Sequence, residues 1–310
     1  MRVFVTGSTG LIGRRVVQAL LAREDAVVPL SRKPLPPDHF GPGACEPAVG
    51  DPTTPGPWLD QLAACDAVVH LAGEPIAGNR WTDEFLKLVR SSRVDSTRLI
   101  AETLARNPRR VDGTPKVLVS GSGVGYYGAN TGDFVMTESS PPGTDVLADI
   151  CRDWEAAADP AREAGVRVCH SRTGIVLDPA GGALPKMALP FKLFVGGRIG
   201  SGKQWVSWIH HADMTGLLLF VLDTPTFSGP FNAVAPTPVT NAEFSRTLAK
   251  VLGRPNLFPA PVFALRVLLG EIAEVVAGGQ RATPKAALDA GYRFRFTELE
   301  TALREVYGRV

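Results

Sequence analysis

Residues 3–13 read Val3-Phe4-Val5-Thr6-Gly7-Ser8-Thr9-Gly10-Leu11-Ile12-Gly13, an apolar run that meets three glycines. An amphipathic pattern follows over Leu11–Arg23, so the glycines stand between a predicted strand and a predicted helix. Gly7 permits a tight turn, Gly10 lets the backbone approach a pyrophosphate, and Gly13 allows the helix to pack closely on the sheet. The free N–H groups of the helix N-terminus attract the anion. This context predicts dinucleotide binding rather than a purely structural turn.

Short apolar runs continue to alternate with helical patterns up to residue 176. The predicted strands are Val3–Thr6, Ala26–Ser31, Ala67–Leu71, Val117–Ser120 and Val166–Ser171. The predicted helices are Leu11–Arg23, Glu84–Arg106 and Asp149–Ala164. This alternation predicts an α/β fold, a Rossmann-type doubly wound parallel sheet with helices on both faces.

The interval Pro34–Pro57 interrupts that rhythm, because it holds eight prolines and four glycines in 24 residues. Proline lacks a backbone N–H group, so a regular helix or a central strand is excluded there. We expect an extended surface loop with one short strand before Asp51.

The pattern changes after Leu177, where glycine pairs and short, proline-punctuated helices appear. We predict a first domain over residues 1–176 and a smaller C-terminal α+β substrate lobe over residues 177–310, with a segment near 204–235 returning to the first domain. In that lobe Thr240 or Asn241 can cap a helix while Glu243 reaches back to the cap.

The composition excludes several classes of protein. Thirty-three Lys and Arg against 31 Asp and Glu leave a net charge of +2 among 310 residues, well below the excess typical of nucleic-acid binders. The apolar stretch around Leu217–Leu222 is too short to span a bilayer, and the N-terminus has no signal-peptide pattern. We therefore expect a cytoplasmic protein with free cysteines and neither a nucleic-acid nor a membrane partner; the oligomeric state, a homodimer included, stays open.

The residue after the second predicted strand bears on the choice of cofactor. NAD-selective sites place a carboxylate there, whereas a 2′-phosphate requires a cation. This chain has Arg32, and the acids that come before it, Glu24 and Asp25, precede the strand. We therefore favour NADP(H) over the alternative of an ordinary surface arginine. His70, in the strand Ala67–Leu71, is interpreted as a buried histidine bonded by the backbone rather than as a catalytic group.

Together these features resemble the epimerase-like atypical branch of the extended short-chain dehydrogenase/reductase superfamily, over essentially the whole chain. The motifs that carry the resemblance are Glu74-Pro75-Ile76, Arg80-Trp81, Ser92-Arg93-Val94, Ser120-Gly121-Ser122-Gly123-Val124-Gly125-Tyr126-Tyr127-Gly128, Trp154-Glu155, Arg172-Thr173-Gly174-Ile175-Val176-Leu177, Trp208-Ile209 and Gly279-Gln280-Arg281. The resemblance implies an NADP-binding Rossmann domain with a small C-terminal substrate lobe. Members of this branch are often labelled nucleoside-diphosphate-sugar epimerases without an established substrate.

The resemblance also assigns cofactor contacts by position. We assign them to Gly7, Thr9, Gly10, Leu11, Ile12, Gly13, Ser31, Arg32, Asp51, Leu71, Ala72, Gly73, Arg93, Ser120 and Val176. Arg93 stands where many extended relatives carry an asparagine, and its guanidinium suits a phosphate or a ribose. An ion pair on the helix surface is the alternative for Arg93.

The largest departure from the superfamily concerns the chemistry. Ordinary members use a tyrosine and, four residues later, a lysine as a proton relay, but here Leu147 and Cys151 occupy those positions. Ser122 and Tyr126 are the candidate catalytic residues in their stead. The candidate substrate contacts are Trp81, Lys87, Tyr127, Gln204 and Trp208. The alternative for both tyrosines is packing against the second lobe with satisfied hydroxyl groups.

Two further patterns carry no function in this interpretation. Gly197–Lys203 matches GxxxxGK, but Gln204 follows and then a strand pattern, so it is not a nucleoside-triphosphate loop. His210 and His211 are adjacent, so an extended backbone would point them to opposite faces, and we assign no metal.

The sequence as a whole predicts an NADP(H)-binding oxidoreductase or epimerase that acts on a small polar or ring-bearing molecule between the lobes. The alternative is a catalytically silent NADPH-binding regulatory protein.

Overall fold

The structure is a computed structural model that describes residues 1–36, 38–76, 81–263 and 277–309. Arg80, one of the motif residues, lies outside the described residues. The strands are β1 Arg2–Thr6, β2 Ala26–Ser31, β3 Ala48–Val49, β4 Ala67–His70, β5 Val117–Gly123, β6 Asn130–Met136, β7 Arg167–Thr173, β8 Ile175–Leu177, β9 Trp205–Val206, β10 Trp208–His210, β11 Gly229–Ala233, β12 Val239–Thr240 and β13 Gly279–Ala282.

The described helices flank these strands. They are α1 Leu11–Ala22, α2 Trp58–Ala63, α3 Asp83–Arg106, α4 Val146–Ala156, α5 Asp159–Glu163, α6 Ala183–Lys192, α7 His211–Asp223, α8 Asn241–Leu252, α9 Lys285–Asp289 and α10 Leu299–Val306, with a 3₁₀ helix over Val124–Tyr127.

Seven parallel strands form the central sheet in the order β11-β7-β5-β4-β1-β2-β3. From β1 the chain builds outward through β2 and β3, and it then crosses back to β4 on the other side of β1. The strand order therefore reverses between β1 and β4, and a crevice opens there beyond the carboxyl ends of the strands. The predicted Rossmann-type parallel sheet is confirmed.

Apolar side chains fill both faces of the sheet. On one face α1 packs on β1 and α7 packs on β5, with Val16, Leu20 and Leu217 fully buried. On the other face the core includes Ile100 of α3 and Trp58 of α2. This two-sided burial explains why the central strands are apolar throughout instead of alternating.

The proline-rich interval contains β3, as the sequence predicts, and α2 follows it at Trp58. The prediction of one helix over Asp149–Ala164 is wrong, because α4 ends at Ala156 and a separate helix, α5, begins at Asp159. Pro160 in the first turn of α5 cannot donate a backbone hydrogen bond inside a continuous helix, and it is well placed at a new start.

Among the described residues, three two-stranded sheets lie outside the central sheet and pair β6 with β13, β8 with β10, and β9 with β12. A second apolar core forms around α8 and α10, with Phe244, Leu248 and Leu303 buried. Thr240 is the cap of α8 and forms a capping box with Glu243. Between these parts, α7 packs on α1 and β11 forms the edge of the central sheet beside β7.

In the described ranges, no helix combines the length and the apolar character that a bilayer crossing requires. The four cysteines are free thiols, and three of them are buried.

Candidate functional site

Two of the three glycines after β1, Gly7 and Gly13, are held in contacts that exclude any side chain. Gly7 has φ +64°, and a Cβ atom there would lie 2.7 Å from the carbonyl carbon of Leu71. A Cβ atom on Gly13 would lie 2.1 Å from the Gly7 carbonyl oxygen. Gly10 donates its N–H to that same oxygen at 2.9 Å and is exposed. The turn thus packs tightly against the sheet and leaves its outer side open to a ligand.

The N-terminus of α1 faces this open side. Gly10 caps the helix without a side-chain hydrogen bond, and the first turn has no acidic residue. A cleft of about 590 Å³ opens here and is lined by Gly10, Leu11, Arg14, Arg15 and Asp178 among others. The N–H groups of the helix N-terminus and the nearby Arg14 favour an anion at this end of the helix, whereas Arg15 is paired with Asp178.

A buried chain of hydrogen bonds fixes the loop that the glycine turn contacts. Thr6 Oγ1 accepts the N–H groups of Leu71 and Ala72 at 3.2 Å each, so its hydroxyl donates to His70 Nδ1 at 2.6 Å. His70 Nε2 then donates to Ser96 Oγ at 3.1 Å. Burial lowers the pKa of His70 to about 3, so the imidazole is neutral. The prediction that the backbone bonds the His70 ring is wrong, because the hydroxyl groups of Thr6 and Ser96 are its partners.

At the end of β2, Arg32 is exposed and Ser31 Oγ donates to the carbonyl of Lys33. Asp51 follows β3 and accepts the side-chain and backbone bonds of Thr53, at 2.6 and 2.8 Å. These bonds, and more weakly the charge of Arg32, lower the pKa of Asp51. The expectation that no acid lies near Arg32 is therefore wrong, because the pairing of β2 with β3 brings Asp51 to the same edge.

Arg93 on α3 lies under the loop after β4. Its residue is 7% exposed, and its guanidinium carbon lies 5.0 Å from the ring centroid of Trp154. Nη1 donates to the Val89 carbonyl at 2.9 Å. Within the described part of the chain no carboxylate pairs with Arg93, so the alternative of a surface ion pair does not hold.

A second buried arginine, Arg172 of β7, is fully paired. Its Nε and Nη2 donate to the two carboxylate oxygens of Glu155 at 2.8 and 2.9 Å. Its Nη1 donates to the Tyr127 hydroxyl at 3.1 Å, and Ser122 Oγ donates to Glu155 at 2.8 Å. The resulting network ties the end of β5 to α4 and β7.

The two candidate tyrosines differ in their surroundings. The Tyr127 hydroxyl donates to Asn232 at 2.7 Å, and burial raises the pKa of Tyr127 to about 12. Tyr126 is half-buried, and its ring lies under the Arg172 guanidinium at 3.4 Å. Among the described residues the Tyr126 hydroxyl has no hydrogen-bond partner. Tyr126 is thus available to a ligand, whereas Tyr127 is part of the scaffold.

The positions that correspond to the missing proton relay lie on α4. Cys151 is buried, its thiol lies 3.9 Å from the Gly123 carbonyl oxygen, and burial raises its pKa to about 11. Leu147 packs in a small apolar cluster with Phe85 and Ile150. A neutral thiol and a packed leucine supply neither the acid nor the cation of a relay.

The structure does not gather all the predicted substrate contacts in one place. Trp81 donates its indole N–H to the Ile76 carbonyl at 3.2 Å, and Lys87 is exposed on α3. Gln204 donates to the Ile199 carbonyl at 3.1 Å. Trp208 is fully buried in the second core and donates to the Thr237 carbonyl, so it offers no face to a ligand. We leave Trp208 and Tyr127 out of the proposed substrate site.

Two of the predicted cofactor positions are less open than the glycine turn. Ser120 is buried in β5 and its hydroxyl donates to the Gly121 carbonyl at 3.3 Å. Val176 is half-buried in β8 and packs against the first core. Gly73 is exposed beside Leu71 and Ala72, at the edge that the crevice reaches.

The two adjacent histidines do not point to opposite faces, so that expectation is wrong. His210 ends β10 and caps α7, where the chain turns, and the ring centroids of His210 and His211 lie 4.2 Å apart. Their Nε2 atoms lie 2.8 and 3.8 Å from one oxygen of Glu305. However, His210 Nδ1 accepts the Ala212 N–H, so the hydrogen of the neutral ring is on Nε2. That nitrogen then has no lone pair to offer a metal ion. The prediction of no metal stays a prediction.

Sequence reasoning missed two features of this edge. The first is the Arg172–Glu155 pair, for which an arginine in a buried strand is the only local signal. The second is Arg15, which pairs with the buried Asp178 on the glycine-turn side. The dipeptide Arg14-Arg15 directly after Gly13 is a signal for the latter.

Comparisons with known families match two separate parts of the chain. A profile described as "NAD dependent epimerase/dehydratase family" matches residues 3–234. A second profile, "Domain of unknown function (DUF1731)", matches residues 260–306. The central sheet and the last part of the chain thus have separate counterparts.

Individual relatives are similar over nearly their full length. The human epimerase family protein SDR39U1 is 39% identical over 320 residues, covering 99% of both chains. Its chloroplastic homolog from Arabidopsis thaliana is 41% identical over 307 residues, 99% of this chain and 86% of that protein. Because that relative is named as chloroplastic, the cytoplasmic location expected here stays a prediction.

Two solved structures share the fold. The crystal structure of human SDR39U1 (isoform2) with NADPH has a TM-score of 0.85 and 36% identity and covers 100% of both chains. A nucleoside-diphosphate sugar epimerase from Corynebacterium glutamicum has a TM-score of 0.79 and 35% identity, with 99% of this chain and 58% of that chain covered.

Proposed function

The chain belongs to the NAD dependent epimerase/dehydratase family, and we propose that it binds NADP(H) and uses it on a small polar or ring-bearing substrate between the lobes. This membership confirms the resemblance inferred from the motifs. The substrate and the direction of the reaction are not part of the proposal.

The glycine turn is the observation that carries the proposal. Gly7 and Gly13 leave no room for a Cβ atom, while the N-terminus of α1 begins at the exposed Gly10 and has no side-chain cap. A pyrophosphate needs a close backbone approach and unpaired N–H groups, and both are present. The residues therefore fit a dinucleotide, and the NADPH in the similar human structure supports the phosphorylated form.

We assign separate tasks to four residues along this edge. Arg32 at the end of β2 would hold the 2′-phosphate, and Asp51 beside it would hold a hydroxyl or amino group of the adenosine half. Tyr126 has an unpartnered hydroxyl and is the candidate proton donor to a substrate; Ser122 instead serves through its bond to Glu155. NADPH, when bound, supplies the reducing equivalents.

The experiment that tests the cofactor is calorimetric titration of the wild type with NADPH and with NADH. We expect NADPH to bind at least tenfold more tightly, about 1.4 kcal/mol. Arg32→Asp should erase or reverse this preference, because a second carboxylate beside Asp51 repels a phosphate. Lys33→Asp is the matched control, since Lys33 is a neighbouring exposed cation. Equal affinities in the wild type would show that Arg32 is only a surface charge.

A catalytically silent, NADPH-binding regulatory protein is the second candidate function. It is favoured by the neutral thiol of Cys151 and the packed side chain of Leu147, which leave α4 without a proton relay. Stoichiometric NADPH binding without turnover on a broad panel of carbonyl compounds would support this alternative. Turnover that is lost in Tyr126→Phe, with NADPH affinity unchanged within about threefold, would support the enzyme.

A further inference from the structure

Exposed apolar side chains are concentrated on one surface of the C-terminal lobe. Among the described residues, seven of the fifteen large apolar side chains that face solvent lie in two segments, 189–195 and 257–263. They are Leu189, Leu193, Phe194, Val195, Leu257, Phe258 and Phe263, each between 54% and 72% exposed. An apolar concentration of this kind marks a surface that a partner covers.

The two segments form one surface, because their backbones are bonded to each other. The N–H groups of Leu257 and Phe258 donate to the Gly196 carbonyl at 3.2 and 3.3 Å. A Cβ atom on Gly197 would lie 2.2 Å from the Phe258 carbonyl oxygen, so the segments are in close contact. We call the surface formed by these seven side chains the apolar patch.

Phe194 is held in the apolar patch by a strained backbone. It follows the C-cap of α6 with φ +65°, a position where glycine is the usual residue because a Cβ atom is disfavoured there. A bulky residue in this conformation lowers the stability of the fold. The Phe194 ring is nevertheless 55% exposed, so core packing does not explain its presence.

The charged residues of the two segments are all cations. The sequence has no Asp or Glu from residue 179 to 212 or from 244 to 270. Lys192 and Arg198 are exposed in and beside the first segment, and the Arg254 guanidinium carbon lies 4.5 Å from the ring centroid of Phe194. Within the described ranges, no ion pair involves any of these three cations. The surface therefore complements one that is both apolar and anionic.

The charges distinguish between the possible occupants of the apolar patch. A second copy of this chain would bring the same cations together across a twofold axis, where they repel. An apolar protein surface needs no cations beside it. A bilayer with anionic headgroups uses both features, because apolar side chains enter the interface and cations attract the headgroups.

We propose that the apolar patch docks on the surface of an anionic membrane, with the rings and leucines at the headgroup level and without crossing the bilayer. The inference is independent of the proposed function, since the apolar patch contains none of the residues assigned to the cofactor. The balanced charge of the whole chain led to the expectation of no membrane partner, and it hides the absence of acids in these two segments.

Co-sedimentation of the full chain with lipid vesicles tests the proposal. Vesicles of phosphatidylcholine with about 30% phosphatidylserine carry a negative surface, and vesicles of phosphatidylcholine alone do not. We expect binding to the anionic vesicles to be at least about tenfold tighter at low ionic strength. Added salt should reduce the difference. Equal binding to both kinds of vesicle, or binding to neither, contradicts the proposal.

Phe194→Gly separates membrane binding from folding. It removes the ring and relaxes the backbone, so thermal unfolding without vesicles should occur at the same temperature as in the wild type or higher. Affinity for the anionic vesicles should fall about tenfold, because the ring no longer leaves water. Phe134→Ser is the matched control, since Phe134 of β6 is an exposed phenylalanine outside the apolar patch. It should leave vesicle binding unchanged; an equal loss in both variants contradicts the proposal.

The double variant Lys192→Gln and Arg254→Gln tests the charges. It should weaken binding to the anionic vesicles about 10- to 30-fold, because each cation near an anionic surface contributes about fivefold. Lys285→Gln is the control, an exposed lysine of α9 that pairs with Asp289. Unchanged binding in the double variant contradicts the proposal.

Two further results would assign the apolar patch to another occupant and overturn the proposal. A dimer in sedimentation velocity that dissociates in Phe194→Gly shows that a second copy covers the patch. A lower unfolding temperature in Phe194→Gly shows that another part of this chain packs on the ring.

Discussion

Two buried arginines at the same edge of the sheet have opposite surroundings. Arg172 donates to both carboxylate oxygens of Glu155 and to the Tyr127 hydroxyl. Burial alone would lower the pKa of Arg172, but the hydrogen bonds and charge of Glu155 outweigh that effect and raise it. Arg93 has one backbone bond, and burial lowers its pKa. Their exposures are similar, at 3% and 7%, so burial alone does not distinguish them.

The two arginines differ in whether their hydrogen-bond donors are used within the fold. A cation whose partners all come from the protein has nothing left to offer a ligand, and it fixes the elements that hold those partners. A cation left without a counter-charge has unused donors and gains most from an incoming anion. Arg172, with Ser122 and Tyr127, therefore belongs to a hydrogen-bonded scaffold, whereas the Arg93 guanidinium has donors that the described chain does not use.

The largest expected effect is on stability at Arg172. Arg172→Met leaves the carboxylate of Glu155 buried and unpaired, and it should lower the free energy of unfolding by about 3–5 kcal/mol. Arg93→Met removes no counter-charge and should change it by less than about 1 kcal/mol. Urea unfolding at neutral pH measures both. Similar losses in the two variants would remove the distinction between the regions.

Acid is expected to weaken both regions, through a histidine in each. Burial lowers the pKa of His70, near Arg93, to about 3, and that of His170, on β7 with Arg172, to about 4. The unfolded chain takes up these protons near pH 6.5, so stability is complete above that pH and falls as the pH drops toward 4. Each histidine contributes a loss of up to about 1.4 kcal/mol per pH unit.

Urea unfolding at pH 7.5, 6.5 and 5.5 checks the acid effect. His70→Gln should have a shallower loss of stability below pH 6.5 than the wild type. His39→Gln, in the loop before β3, is the control for replacing a histidine by glutamine. If His70→Gln and the wild type lose stability in parallel, the neutral buried state of His70 is contradicted.

The smallest expected effect belongs to Cys151, which lies between the two arginine regions. Because its thiol is neutral and buried, Cys151→Ala should cost only packing, about 1 kcal/mol or less, and leave NADPH affinity and any turnover nearly intact. Calorimetry and a steady-state assay on the same preparation measure this. A large loss of turnover with an unchanged fold would assign the thiol a chemical role.

The sequence was sufficient wherever the information is local. The glycine spacing, the apolar strands and the Thr240–Glu243 capping box each depend on neighbours within a few residues, and all appear in the structure. Predictions failed where distant segments meet. Asp51 reaches Arg32 only through strand pairing, and Trp208 is removed from any cleft because the second core closes around it.

By itself, then, the sequence determined the parallel α/β sheet and the glycine turn, because periodicity and backbone freedom are properties of short segments. Only the tertiary structure decided which of the buried arginines is paired with a carboxylate. The sequence does not distinguish Arg93 from Arg172, since each directly follows a serine, and both are buried in the folded chain. Their roles diverge because Glu155, 17 positions before Arg172, is folded against it, and the described chain brings no carboxylate to Arg93. Pairing of buried charges is set by contacts between elements, and these exist only in the folded chain.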